Sequence, residues 1–133
     1  MRLLPVDDDA EFRSTVRNLL ARHPDVTILG ETADGAAVFP LIGPLRPEVV
    51  LMDLTMSCMN GIDTTRQLTT MWADVAVVVL TVHVDPVSHR AARAAGASAV
   101  LGKRTLGMGF WPTLLRVTGH GDSTDPAGAS CCS

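Results

Sequence analysis

The sequence has no apolar run approaching the roughly 20 residues that a membrane-spanning helix needs. Its opening, MRLLPVDDDAEF, turns acidic after too short an apolar stretch to act as a secretory leader. Basic residues are few and scattered. Eleven Lys and Arg stand against 14 Asp and Glu, for a net charge of −3, and only Lys103 and Arg104 are adjacent. That distribution gives the chain alone no electrostatic footprint for nucleic acid. Cysteine is scarce too: Cys58 is isolated, and Cys131 and Cys132 sit side by side near the end. Neither a disulfide framework nor a zinc site fits such spacing, and the chain reads as a protein of a reducing cytoplasm. Tyrosine is absent altogether.

What is present is hydrophobic substance. Apolar residues make up 47% of 133 residues, enough for one domain with a real core. Short runs rich in Val, Ile and Leu recur at 3–6, 26–30, 49–52, 75–80 and 99–101. The runs at 49 and 75 are continuous rather than alternating, as in strands buried on both faces. Between the runs lie stretches with helical spacing: Phe12, Val16, Leu19, Leu20 and His23; then Ile62, Thr65, Leu68 and Trp72; then Val87, Ala91, Ala94 and Ala95, stopped by Gly96. Strands alternating with helices predict an α/β fold, a parallel sheet covered on both sides. Prolines strain this pattern. Pro5 interrupts the first strand, Pro40 and Pro44 predict a short or kinked second helix over 34–45, and Gly107 and Gly109 predict that the fifth helix begins late, near Pro112. The expected domain spans 1–118. Residues 119–133 have too little apolar content to pack and read as a disordered tail.

The chemistry lies at the strand ends. In VVLMDLTMSCMNG, four hydrophobic residues run straight into Asp53, and the first apolar run ends in Asp7-Asp8-Asp9. In a doubly wound parallel sheet, ligands bind beyond the carboxyl ends of the strands. If the first and third strands are neighbours, at least three carboxylates converge. Such charges repel by on the order of 1 kcal/mol in water and several times that near a protein surface, and a hard divalent cation such as Mg²⁺ relieves them. Thr81 and Lys103 close two later runs. A hydroxyl and an ammonium beside a metal-loaded carboxylate make a receptor for a phosphoryl group, which Asp53 would attack in line. Asp9 fits better as the cap of the first helix.

The blocks VDDDAEFRSTVRNLL, GETADG, LRPEVVLMDLTMSCMNG, VAVVVLTVH and AARAAGASAVLGK resemble bacterial response-regulator receiver domains. The similarity is greatest to the subgroup joined to a helix-turn-helix DNA-binding domain, and it covers residues 2–104. It implies a flavodoxin-like fold with five parallel strands in the order 2-1-3-4-5 and helices on both faces. It implies a phosphoacceptor at Asp53, an Mg²⁺-positioning pair at Asp7 and Asp8, and a further metal ligand in the backbone carbonyl of Thr55. Thr81 corresponds to the switch hydroxyl and Lys103 to the phosphate-contacting lysine. Thr55 and His83 would flank the phosphoryl group and tune its hydrolysis. His23, His89 and His120 read as surface residues. Two departures stand out: Ser57 replaces the usual proline, and Val100 replaces the usual aromatic switch residue.

Three functions compete. The first is a phosphorelay switch, loaded by a sensor histidine kinase and read out by an unidentified output protein or a missing effector domain; no helix-turn-helix unit is expected after Val117. Such a switch is not an enzyme beyond its own phosphotransfer and slow autodephosphorylation. Weak homodimerisation fits the family, although a disrupted fifth helix argues against it. The second is a pseudo-receiver, an interaction module that does not signal by phosphate, which the Ser57 and Val100 departures favour. The third is a phosphohydrolase with an aspartyl-phosphate intermediate. It ranks last because Thr55 cannot replace the second carboxylate those enzymes need.

Overall fold

A computed structural model describes residues 1–33, 35–54, 61–82 and 85–119. Five strands, β1 (Arg2–Val6), β2 (Thr27–Ile28), β3 (Val49–Asp53), β4 (Ala76–Thr81) and β5 (Ala99–Gly102), alternate with five helices. The helices are α1 (Ala10–Leu20), α2 (Phe39–Leu45), α3 (Gly61–Met71), α4 (Pro86–Ala94) and α5 (Leu106–Thr118). All strands are parallel, in the order β2-β1-β3-β4-β5. This is the expected topology, and every apolar run noted in the sequence contributes a strand.

The alternation of side chains sorts the core into two layers. Leu4, Val6, Val50, Met52, Val77 and Val79 pack with Ile42, Leu68 and Ala92 from α2, α3 and α4. Leu3, Val49, Leu51, Val78 and Leu80 pack on the other face with Val16, Leu20, Leu106, Phe110 and Leu114 from α1 and α5. All five residues of β3 are buried, which explains why its sequence shows no polar alternation.

Several local expectations change. Pro5 does not interrupt β1. Its carbonyl accepts the Thr32 amide at 3.1 Å, so its polar edge faces β2, and the proline's missing donor falls where that two-residue strand has already ended. The second helix is short, as expected. A 3₁₀ turn at Gly35–Val38 leads into it, Pro40 lies in its first turn, and Arg46 closes it with a left-handed φ of 49°. The fifth helix does not wait for Pro112; it starts at Leu106. Leu106, Phe110 and Leu114 repeat every four residues and bury one stripe, which outweighs the low helix propensity of Gly107 and Gly109. Pro112 sits on the exposed side, where the Met108 carbonyl it fails to engage can turn to water. With the helix continuous, its disruption no longer argues against self-association.

In α4 the inward stripe is rotated from the one expected. Ala92 and Ala95 are buried, whereas Val87 is 69% exposed and Ala94 is exposed. Asp85 sets the helix start by accepting the Ser88 amide at 2.8 Å. His23 is also half-buried rather than superficial. Its ring stacks on Trp111 of α5, with centroids 3.7 Å apart. The residues from 120 onward, including His120 and most of the expected tail, lie outside those described.

Candidate functional site

Parallel pairing brings the carboxyl ends of the central strands level. Val6 pairs with Met52, so Asp7 and Asp53 follow at the same height on adjacent strands. On the next strands Asp53 pairs with Leu80, and Thr81 pairs with Gly102 immediately before Lys103. The register therefore gathers at one edge four side chains that are far apart in sequence.

Asp7 is 3% exposed and Asp53 4%, while Asp8 is exposed. Carboxylate oxygens of all three lie within 4.8 Å of one another. Buried charges in such proximity need a counter-ion. Lys103 supplies part of it: its Nζ lies 2.7 Å from Asp7 Oδ2 and 3.3 Å from Asp53 Oδ1. Burial works to push the Lys103 ammonium down, but the hydrogen bond it donates to Asp7 and the charges of Asp53 and Asp7 outweigh it, and its pKa is raised. The other oxygen of Asp7 accepts the Asp9 amide at 2.9 Å. Asp9 in turn caps α1, accepting the amides of Glu11 and Phe12, as its sequence position suggested. The turn after β1 thus orients Asp7 and starts the helix with the same three residues.

Thr81 ends β4 and is buried beside this edge. Val100 lies in β5, half-buried against the layer formed with α2–α4. Thr55 and His83 lie outside the described residues, as does Ser57.

Three contributors escaped sequence reasoning. Arg13 donates to the Asp7 carbonyl and pairs with Glu31, with Nε 3.0 Å from Oε1. The ring of Phe12 lies under Lys103, with Nζ 4.3 Å from its centroid. Gly61 is required by close approach. A Cβ there would stand 2.3 Å from the Asp53 carbonyl oxygen. An Asn-Gly pair after a strand signals a turn, but no local pattern announces which backbone it touches.

The donor set suits a hard divalent cation: oxygen ligands only, three carboxylates with a single ammonium bridging two of them. Fold and site together define a doubly wound α/β domain with an acidic crevice at the sheet's carboxyl edge. Comparison with known proteins gives the family. The profile described as response regulator receiver domain matches residues 3–106, and the chain belongs to that family, whose members act in two-component phosphorelay signalling. Among curated relatives, the transcriptional regulatory protein DegU of Brevibacillus brevis is 34% identical over 85 residues, 64% of this chain and 36% of that protein. The transcriptional regulatory protein LiaR of Bacillus subtilis (strain 168) is 36% identical over 85 residues, 64% of this chain and 40% of that protein. The chain thus spans well under half the length of either relative. Among solved structures, a LuxR-family two-component response regulator from Aurantimonas sp. SI85-9A1 superposes with a TM-score of 0.84 at 25% identity, covering 98% of this chain and 94% of that one. The signal receiver domain of the response regulator NarL from Mycobacterium tuberculosis gives 0.82 at 27% identity, covering 89% and 95%.

Proposed function

We propose that Asp53 accepts a phosphoryl group from the phosphohistidine of a sensor histidine kinase. In that step an Asp53 carboxylate oxygen forms the new P–O bond as the P–N bond breaks. The electron pair stays on the imidazole nitrogen, which takes up a proton. Asp7, Asp8 and Asp53, with the Thr55 backbone carbonyl, would hold Mg²⁺, which when bound neutralises charge on the phosphoryl oxygens. Lys103 contacts one of those oxygens and the Thr81 hydroxyl another. By the resemblance to the family, His83 and Thr55 would flank the group and set how readily water reaches it.

The observation that carries this reading is the Asp7–Asp8–Asp53 cluster with Lys103 bridging two of its members. A module indifferent to phosphate has no use for two buried carboxylates side by side, so the interaction-module alternative gains nothing from this geometry. Output passes through a partner protein or an effector domain, in the cytoplasm, and the domain catalyses only its own phosphotransfer and dephosphorylation.

The test is labelling with a small phosphodonor and Mg²⁺, read by intact mass. The wild-type chain gains one phosphoryl group, and Asp53→Ala gains none. No gain on the wild type, or equal gain on the variant, overturns the assignment.

A further inference from the structure

Lys103 is held from three directions, and the three anchors respond differently to a ligand. Two are ionic: Asp7 Oδ2 at 2.7 Å and Asp53 Oδ1 at 3.3 Å. The third is the face of Phe12, 4.3 Å from Nζ to the ring centroid. Phe12 comes from the first turn of α1, whose start is fixed by the Asp9 cap, and it packs against the layer that α5 shares. The lysine side chain is only 13% exposed, so the ring's attraction acts with little competition from water.

We propose that Phe12 is a positioning residue for Lys103, an anchor that stays in force when the ionic anchors slacken. The inference rests on the phosphoacceptor reading. A cation or phosphoryl group entering the crevice draws on the charge of Asp7 and Asp53 and so weakens their hold on the ammonium. The ring's quadrupole is unaffected by that charge sharing. A lysine on a flexible four-carbon stem would otherwise sample many rotamers at the moment it is needed. The ring confines it to the side of the crevice facing Asp53.

The experiment has two arms. In the metal-free wild-type chain, proton NMR of the Lys103 ε-methylene should show an upfield ring-current shift that Phe12→Leu abolishes and Phe12→Tyr keeps. In labelling by a small phosphodonor at saturating Mg²⁺, Phe12→Leu should slow Asp53 modification about three- to tenfold, and Phe12→Tyr should restore most of the rate. Mg²⁺ affinity, read by titration, should change little in either variant. The proposal is overturned if the wild-type ε-methylene is unshifted, a result that needs no variant to fold. It is also overturned if Phe12→Leu labels at the wild-type rate, or if Phe12→Tyr labels as slowly as Phe12→Leu. Lys103→Ala separates the two readings: if it labels normally, the phosphoacceptor scheme is at fault. If it is slow while Phe12→Leu is normal, only the ring's role is lost.

Discussion

The two ends of the sheet solve opposite electrostatic problems. At the amino edge, charges are paired near water. The N-terminal amine donates to the Asp25 carbonyl at 2.7 Å and lies 3.9 Å from Glu48, whose Oε1 also accepts the Arg2 amide at 3.1 Å. Arg2 Nε donates to the Arg46 carbonyl at 2.8 Å. At the carboxyl edge, three carboxylates crowd together, and one ammonium bridges the two that are almost wholly buried. The first arrangement closes strand ends at little cost. The second stores repulsion that the packed core beneath β3 must hold in place. A site that violates the ordinary rule for buried charge, on a scaffold that obeys it elsewhere, marks where function outweighed stability.

The sharpest way to test that contrast is to remove the ammonium that bridges Asp7 and Asp53. Lys103→Met leaves Asp7 and Asp53 buried without their cation, and without Mg²⁺ it should cost about 3–5 kcal/mol by urea unfolding. Millimolar Mg²⁺ should recover part of that loss, because a second cation can take the vacated role. At the amino edge, Arg2→Met should cost less than about 1 kcal/mol and show no Mg²⁺ dependence. Equal losses at the two edges would erase the distinction.

A smaller effect is expected from adding a single methyl group. Gly61→Ala places a Cβ 2.3 Å from the Asp53 carbonyl oxygen and 2.9 Å from Leu54 Cα, so main chain must move. About 1–3 kcal/mol of stability should be lost, together with phosphodonor labelling, since the displaced backbone carries Asp53. Gly107→Ala, on the exposed side of α5 with nothing within 4 Å, should instead stabilise by about 0.5–1 kcal/mol and label normally. Thermal melts and intact mass on the pair decide it.

These residues also show what could be read without coordinates. Strands buried on both faces leave unbroken apolar runs, so β3 and β4 were legible almost to the residue. The carboxylates that follow β1 and end β3 were legible because a charge following such a run has few innocent explanations. Helix faces were harder. In α4 the candidate stripe is mostly alanine, which offers too little contrast to fix the rotation that Asp85 and Ser88 impose. In α5 local propensity argued for a late start, and tertiary burial of Leu106 and Phe110 overrode it. Contacts such as Phe12 with Lys103, or Gly61 with Asp53, are made by the fold's closure across α1, β3 and β5. No local sequence signal carries them.

The smallest effect connects the acidic edge to its surroundings. Glu31, after β2, receives Arg13 and Arg17 of α1, and Arg13 also donates to the Asp7 carbonyl. The Arg17 hydrogen bond, opposed by burial and aided by Arg13, holds the Glu31 carboxyl below its ordinary range. A carboxyl with a depressed folded-state pKa is ionised in the folded chain where the unfolded chain binds a proton. Its stabilisation is therefore complete at neutral pH and fades as the pH falls through the unfolded and then the folded value. Arg17 is nearly half exposed, which limits the contribution to about 0.5–1 kcal/mol. Glu31→Gln should melt below wild type at pH 7, and the gap should close between about pH 5 and 3. A gap that persists or widens in acid would mean that packing, not charge, holds α1 to the loop after β2. Arg13 would then reach Asp7 without help from Glu31.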